Sequence, residues 1–170
     1  SVLLVDADLA VGAVASVVRS RPVPGISELL NGEATWSDTV SSALFGRERT
    51  VDVIPAGRPV ARMREPVPSD AFRMDLHRLA RRYDLTVLAT SLEHACRGSQ
   101  SILPAPDVVL CVEANATKVR DLRAAAAALQ GAGLRLQGVV LWDMEHPDVT
   151  PFSIEEWEAR AIRTTAAATV

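Results

Sequence analysis

Residues 1–10 read SVLLVDADLA, an apolar run closed by Asp6 and Asp8 with one alanine between them. A short run that is apolar throughout, rather than alternating, is the pattern of a strand covered on both faces, as in a parallel sheet. In open α/β sheets ligands bind at the carboxyl ends of the strands, and Asp6 and Asp8 leave this strand at that end. Two neighbouring carboxylates there are hard oxygen donors that can hold Mg²⁺ directly or through water. The competing reading is that one aspartate caps the following helix and the other is solvated, because strand-Asp-helix is a common junction.

Working outward, four more segments have the same character: VDVIP (51–55), LTVLAT (85–90), VVLCVEA (108–114) and LQGVVLW (136–142). Helical periodicity fills the intervals. Phe72, Leu76, Leu79, Ala80 and Tyr83 share one face of a helix that Ser69 or Asp70 is placed to cap. Val119, Leu122, Ala126 and Leu129 repeat the pattern, and Gly131 and Gly133 supply its stop. GISELLNGEATWSDTV (25–40) reads as a short helix, a break at Gly32 and a second helix. Near the end, Ser153 with Glu156 forms a capping box and Phe152 with Trp157 a hydrophobic staple, which predicts a helix over 153–163. Strands alternating with helices make an α/β fold with right-handed crossovers. RSRPVPG (19–25) and GRPVARMREPVPSD (57–70), rich in proline and arginine, read as exposed loops.

The chain of 170 residues, 48% of them hydrophobic, has the size and content of one globular α/β domain, 1–170. Its 18 basic and 21 acidic residues leave a net charge of −3, which offers nucleic acid no electrostatic partner. No apolar stretch reaches the roughly 20 residues of a membrane span and no signal peptide is visible, so a soluble domain is expected. Cys96 and Cys111 lack metal-ligand spacing and read as buried free thiols in a reducing compartment. His77, His94 and His146 show no ligand pattern, and Ser91, Ser99 and Ser101 lack a nucleophile elbow, so neither a histidine metal site nor hydrolase chemistry has a motif. The three arginines of RPVARMREP (58–66) read as solvated, or as a contact for a partner protein or acidic headgroups.

Taken in order, VLLVDADL, GISELLNGEATWSD, VIPAGRP, RRYDLTVL, APDVVLCVEANATKVRDLRAAAAALQGAG and LQGVVLW resemble the cytoplasmic domain of bacterial tyrosine kinases, over about residues 1–142. Residues 143–170 would be a C-terminal loop and helix. These kinases belong to the MinD/ParA-like branch of P-loop ATPases and accompany exopolysaccharide chain-length and export proteins. The resemblance implies a mostly parallel sheet with helices on both faces, ATP and Mg²⁺ as cofactors, phosphorylation of tail tyrosines, and a location on the cytoplasmic side of the bacterial inner membrane. It also implies a polysaccharide chain-length or export membrane protein as partner, with membrane contact made only through that partner or an upstream segment. Oligomeric state is left open.

The departures from the family run the other way. No GxxxxGK[ST] is present to bring backbone N–H groups and a lysine to phosphates, and the only lysine, Lys118, opens a later helix with no glycines before it. The family's second acidic strand ends in an aspartate where this chain has Ala89, and its adenine-holding asparagine corresponds to Trp142. Trp142 either stacks on a base or packs beneath the final helix. Ala10 stands where a basic residue is often found, and Tyr83, the only tyrosine, lies on an apolar stripe rather than in a tail. Two functions follow. One is a non-catalytic, pseudokinase-like regulatory or scaffolding relative in exopolysaccharide production, with no cofactor expected. The other is an active ATP-dependent autokinase or ATPase whose phosphate loop lies upstream and whose metal is held by Asp6 and Asp8 alone. In the family the phosphate-loop strand is central, so a sheet lacking it must close over the gap or leave two unpaired edges.

Overall fold

The structure is a computed structural model and describes residues 1–45, 49–60, 68–96, 107–114 and 116–142. The expected helix at 153–163, His146, Ser99, Ser101 and the central part of the arginine loop lie outside the described residues. All five expected strands form: β1 (Val2–Asp6), β3 (Arg49–Ile54), β4 (Leu85–Ala89), β5 (Asp107–Glu113) and β6 (Arg135–Trp142). One more, β2 (Ser41–Phe45), runs antiparallel to β3 with Ser41 opposite Val53. Sequence reading missed β2 because SSALF is short and carries no turn signal before it.

Helices α1 (Val14–Val17), α2 (Ile26–Leu30), α3 (Trp36–Thr39), α4 (Asp70–Ala80), α5 (Leu92–Ala95) and α6 (Val119–Gly131) fill the intervals. The Ser69 hydroxyl accepts from the Phe72 N–H at 3.2 Å, the expected cap of α4. Gly32 and Gly133 take φ values of +72° and +77°, the left-handed geometry that ends a helical run without cost to glycine. Tyr83 falls three residues beyond α4, yet its ring is half-buried against the core and its hydroxyl donates to Asp52 at 2.9 Å.

β1 sits inside a four-stranded sheet of order β2-β3-β1-β4, parallel to both neighbours. Both of its faces are covered, as the continuous apolar run predicts. On one side Leu3, Val5 and Ile54 pack with Ile26 of α2 and Leu76 of α4, and on the other Leu4 and Val53 pack with Val14 and Val18 around α1. Full burial of side chains this size contributes about 2 kcal/mol each, so the strand carrying Asp6 is among the most firmly held parts of the chain.

β5 and β6 form a separate two-stranded parallel sheet. Among the described residues β4 pairs only with β1, and β5 only with β6, so each keeps one unpaired edge. Leu85 and Val87 of β4 and Val109 of β5 are 55%, 41% and 57% exposed.

The exposed face of β5 corrects the reading of the cysteines as buried. Cys111 follows Val109 on the uncovered face of β5 and is exposed, while Cys96 is half-buried; both are free thiols. An apolar run predicts burial only where a second layer is present. In native protein iodoacetamide should therefore alkylate Cys111 before Cys96, read by peptide mass; equal protection of both thiols would contradict the exposed face.

Candidate carboxylate site at the end of β1

Asp6 ends β1 and is 2% exposed. Its Oδ2 accepts from the Val14 N–H at 2.9 Å, the first residue of α1, and its Oδ1 accepts from the Asp8 N–H at 3.2 Å. Asp8 Oδ1 accepts in turn from the N–H groups of Ala10 (3.2 Å) and Val11 (3.3 Å), while its carbonyl accepts from Gly12 at 2.9 Å, where φ is +61°. The competing helix-cap reading is therefore what Asp6 does at α1. It does not exhaust the site, because a carboxylate oxygen has two lone pairs and Asp8 Oδ2 makes no hydrogen bond among the described residues. Hard oxygens on adjacent aspartates suit Mg²⁺, which takes one or two carboxylates and keeps several waters, so the residues present fit such an ion.

Burial is the main influence on the Asp6 carboxyl and pushes its pKa above the usual range; the Val14 and Asp8 N–H groups oppose this and the Asp8 charge adds to it. A raised folded pKa means that Asp6 favours folding below its unfolded value and that this benefit is lost as pH rises through the folded value. Asp6→Asn should therefore lie within about 1 kcal/mol of wild type at pH 7 and compare less well below pH 3.8. Asp6→Ala, which orphans two N–H groups, should cost about 2 kcal/mol. Urea midpoints across pH check both, and an Asn variant much less stable at pH 7 than in acid would reverse the sign argued here.

Around this turn the neighbours are fixed by backbone. Ala89 is in register with Asp6, and the Ala89 carbonyl accepts from the Ala7 N–H at 2.8 Å. A methyl group thus stands beside Asp6 where a further acidic residue was looked for. Among the described residues no three His, Cys, Asp or Glu side chains are grouped for a metal. Trp142 is not brought to Asp6 by strand pairing. It ends β6, in register with Glu113, and is 53% exposed. Its packing beneath a final helix falls on residues that are not described. Among the histidines, His94 bonds Ser91 Oγ through Nδ1 at 2.6 Å and His77 is in the last turn of α4, both consistent with capping rather than ligation.

Sequence reasoning missed the clasp that holds this edge. Glu28 of α2, 4% exposed, accepts from the Gly25 N–H at 2.8 Å and from the Arg58 N–H at 3.1 Å. It thereby ties the start of α2 to the loop leaving β3. That loop reaches the aspartate turn, since Val60 N–H donates to the Leu9 carbonyl at 2.9 Å. The signals were present as GISE and IPAGR, but they lie 30 residues apart and nothing in the sequence pairs them.

No protein-family model matches the sequence, and no curated protein matches it either. Solved structures do. The kinase domain of the Escherichia coli tyrosine kinase ETK superposes with a TM-score of 0.70 and 22% identity over 90% of this chain. The VpsO kinase domain gives 0.64 and 28% over 82%, and MinD of Pyrococcus horikoshii, solved with Mg-ADP, gives 0.60 and 20% over 88%. The chain spans 59% of the ETK structure, 68% of VpsO and 61% of MinD. The Asp-x-Asp turn ends a strand of a mostly parallel α/β architecture of the same kind. The chain has the P-loop ATPase-like α/β fold that the ETK tyrosine-kinase domain shares with MinD, and it resembles the bacterial tyrosine-kinase domains.

Proposed function

We propose that the chain acts as a pseudokinase-like regulatory or scaffolding domain in exopolysaccharide production and export. It would work on the cytoplasmic side of the bacterial inner membrane beside a polysaccharide chain-length or export membrane protein. The observation that carries this reading is Ala89 in register with Asp6. Phosphoryl transfer relies on positioning and charge stabilisation around the metal and the attacking group, and a methyl group supplies neither. Ala10 and Trp142, in place of a basic residue and an amide, point the same way. Among the described residues no helix is long and apolar enough to cross a membrane.

The edges of β4 and β5 that have no partner strand among the described residues favour a second reading, an active ATP-dependent tyrosine autokinase or ATPase. A parallel strand between those edges would end at the same side of the sheet as Asp6. A phosphate-binding loop following it would meet Asp6 and Asp8, which would hold the Mg²⁺ of a bound nucleotide. Bound there, Mg²⁺ would supply charge neutralisation on phosphate oxygens; the chain's own part would be to hold Asp6 rigid through Val14 and to leave Asp8 Oδ2 open.

Calorimetric titration of ATP and ADP with Mg²⁺ separates the two. The regulatory reading expects no heat and no thermal shift at millimolar nucleotide, in wild type or Asp6→Ala. Tight binding in wild type that Asp6→Ala abolishes would overturn it in favour of the second.

A further inference from the structure

Asp8 holds its carboxylate by one oxygen and leaves the other open. Oδ1 accepts from the Ala10 and Val11 N–H groups, while Oδ2 makes no hydrogen bond among the described residues. The two N–H groups on Oδ1 restrict where Oδ2 points, because the two oxygens of a carboxylate move together. The Ala10 N–H belongs to the same peptide group as the Leu9 carbonyl, and that group is planar. The carbonyl end of it accepts from the Val60 N–H at 2.9 Å. The aim of the Ala10 N–H is therefore set from outside the turn, by the loop leaving β3.

This loop is stiff between its two attachments. The Arg58 N–H donates to Glu28 at 3.1 Å, and only Pro59 stands between Arg58 and Val60. The proline ring holds its own φ near about −65° and disfavours helical backbone at Arg58, so a displacement at one end of Arg58–Pro59–Val60 is carried to the other. The anchored end is tightly enclosed. Glu28 is 4% exposed and also accepts from Gly25, and Gly57, at φ +89°, leaves no room for a Cβ against Glu28 and Ser27. Ala56 packs on the turn as well, with its Cβ 3.4 Å from where a Cβ on Gly12 would stand. Leu9 itself is 3% exposed and its side chain lies in the core. A buried side chain fixes the position of its Cα but leaves the following peptide plane free to rotate, and the hydrogen bond from Val60 selects that plane.

We propose that Glu28 is a positioning residue for Asp8. Acting through Arg58–Pro59–Val60 and the Leu9–Ala10 peptide, it sets the direction of the open Asp8 Oδ2. The inference does not depend on whether the aspartate turn holds a nucleotide, since a Mg²⁺ ion or a hydrogen-bond donor would meet Oδ2 in the direction that the clasp dictates.

Hydrogen exchange of single amides, read by NMR on the whole chain at neutral pH, tests it in wild type, Glu28→Gln and Pro59→Gly. Pro59 is exposed, so its replacement loosens the strap and leaves Glu28 with both of its donors. Wild type in enough urea to remove the same global stability controls for a merely structural effect, because amides that open locally do not respond to it. The Ala10 and Val11 amides should exchange at least tenfold faster in both variants than in that control. A rise no larger than the control in either variant, or one confined to Gly25 and Arg58, would overturn the proposal. If Glu28→Gln fails to fold, Pro59→Gly decides by the same criterion.

Discussion

Glu28→Ala should lower the stability of the folded chain by about 3 kcal/mol, although Glu28 touches neither Asp6 nor Asp8. Among the described residues its carboxylate is the only acceptor for the N–H groups of Gly25 and Arg58, and truncation leaves both donors without it; an orphaned buried donor costs about 1–3 kcal/mol. The ion pair to the Arg58 side chain, 3.6 Å long and with the guanidinium 72% exposed, adds little. Glu28→Gln keeps one acceptor oxygen and turns an NH₂ toward the other donor, so it should cost about 2 kcal/mol.

The pH dependence distinguishes this clasp from simple packing. Burial pushes the Glu28 pKa up, but hydrogen bonds from the Gly25 and Arg58 N–H groups, with smaller contributions from the Ser27 side chain and the Glu28 N–H, together outweigh it, and the carboxyl is held below its ordinary value of 4.5. A lowered folded pKa gives stability that is present above the unfolded value and lost as pH falls through the folded one. The gap between wild type and Glu28→Gln should thus be constant near neutrality and shrink below pH 4.5. Urea unfolding with unchanged m-values reads it. A gap independent of pH would mean that shape, not charge, makes the contact.

Gly25→Ala is expected to be at least as damaging, about 3 kcal/mol or more, through a different mechanism. A Cβ at Gly25 would collide with the backbone of Pro55 and Gly57, which cannot yield as a flexible side chain would. The Ile26 and Ser27 N–H groups donate to the Pro55 and Ala56 carbonyls at 2.9 Å each, so this approach is itself a hydrogen-bonded contact. Gly32→Ala supplies the comparison. Gly32 has φ +72° with open space around it, so it should cost only about 1 kcal/mol from left-handed strain. Equal losses at the two glycines would show that conformational freedom, not close approach, is what Gly25 provides.

The carboxylate turn was legible in the sequence because its determinants are local. An apolar strand, two aspartates and a glycine lie within twelve residues, and the Asp6 cap on α1 spans only eight. The α4 start at Ser69 and the break at Gly32 were legible for the same reason: each depends on hydrogen bonds or backbone angles within a few residues. The Glu28 clasp was not, since its partners at Gly25 and Arg58 are 3 and 30 residues away on different elements. The exposure of Cys111 was not either, because an apolar run states a preference for burial and cannot say whether a covering layer is there.

By itself, then, the sequence determined the α/β character, the order of five strands, and Asp6 with Asp8 at a strand's carboxyl end, since periodicity and capping are set by neighbours along the chain. Only the tertiary structure decided that Ala89 stands in register beside Asp6, that α2 is clasped to the loop leaving β3, and that among the described residues β4 and β5 each pair on one edge alone. Those depend on which strands pair across the sheet, and pairing is chosen by the burial and backbone hydrogen bonds of segments far apart in sequence.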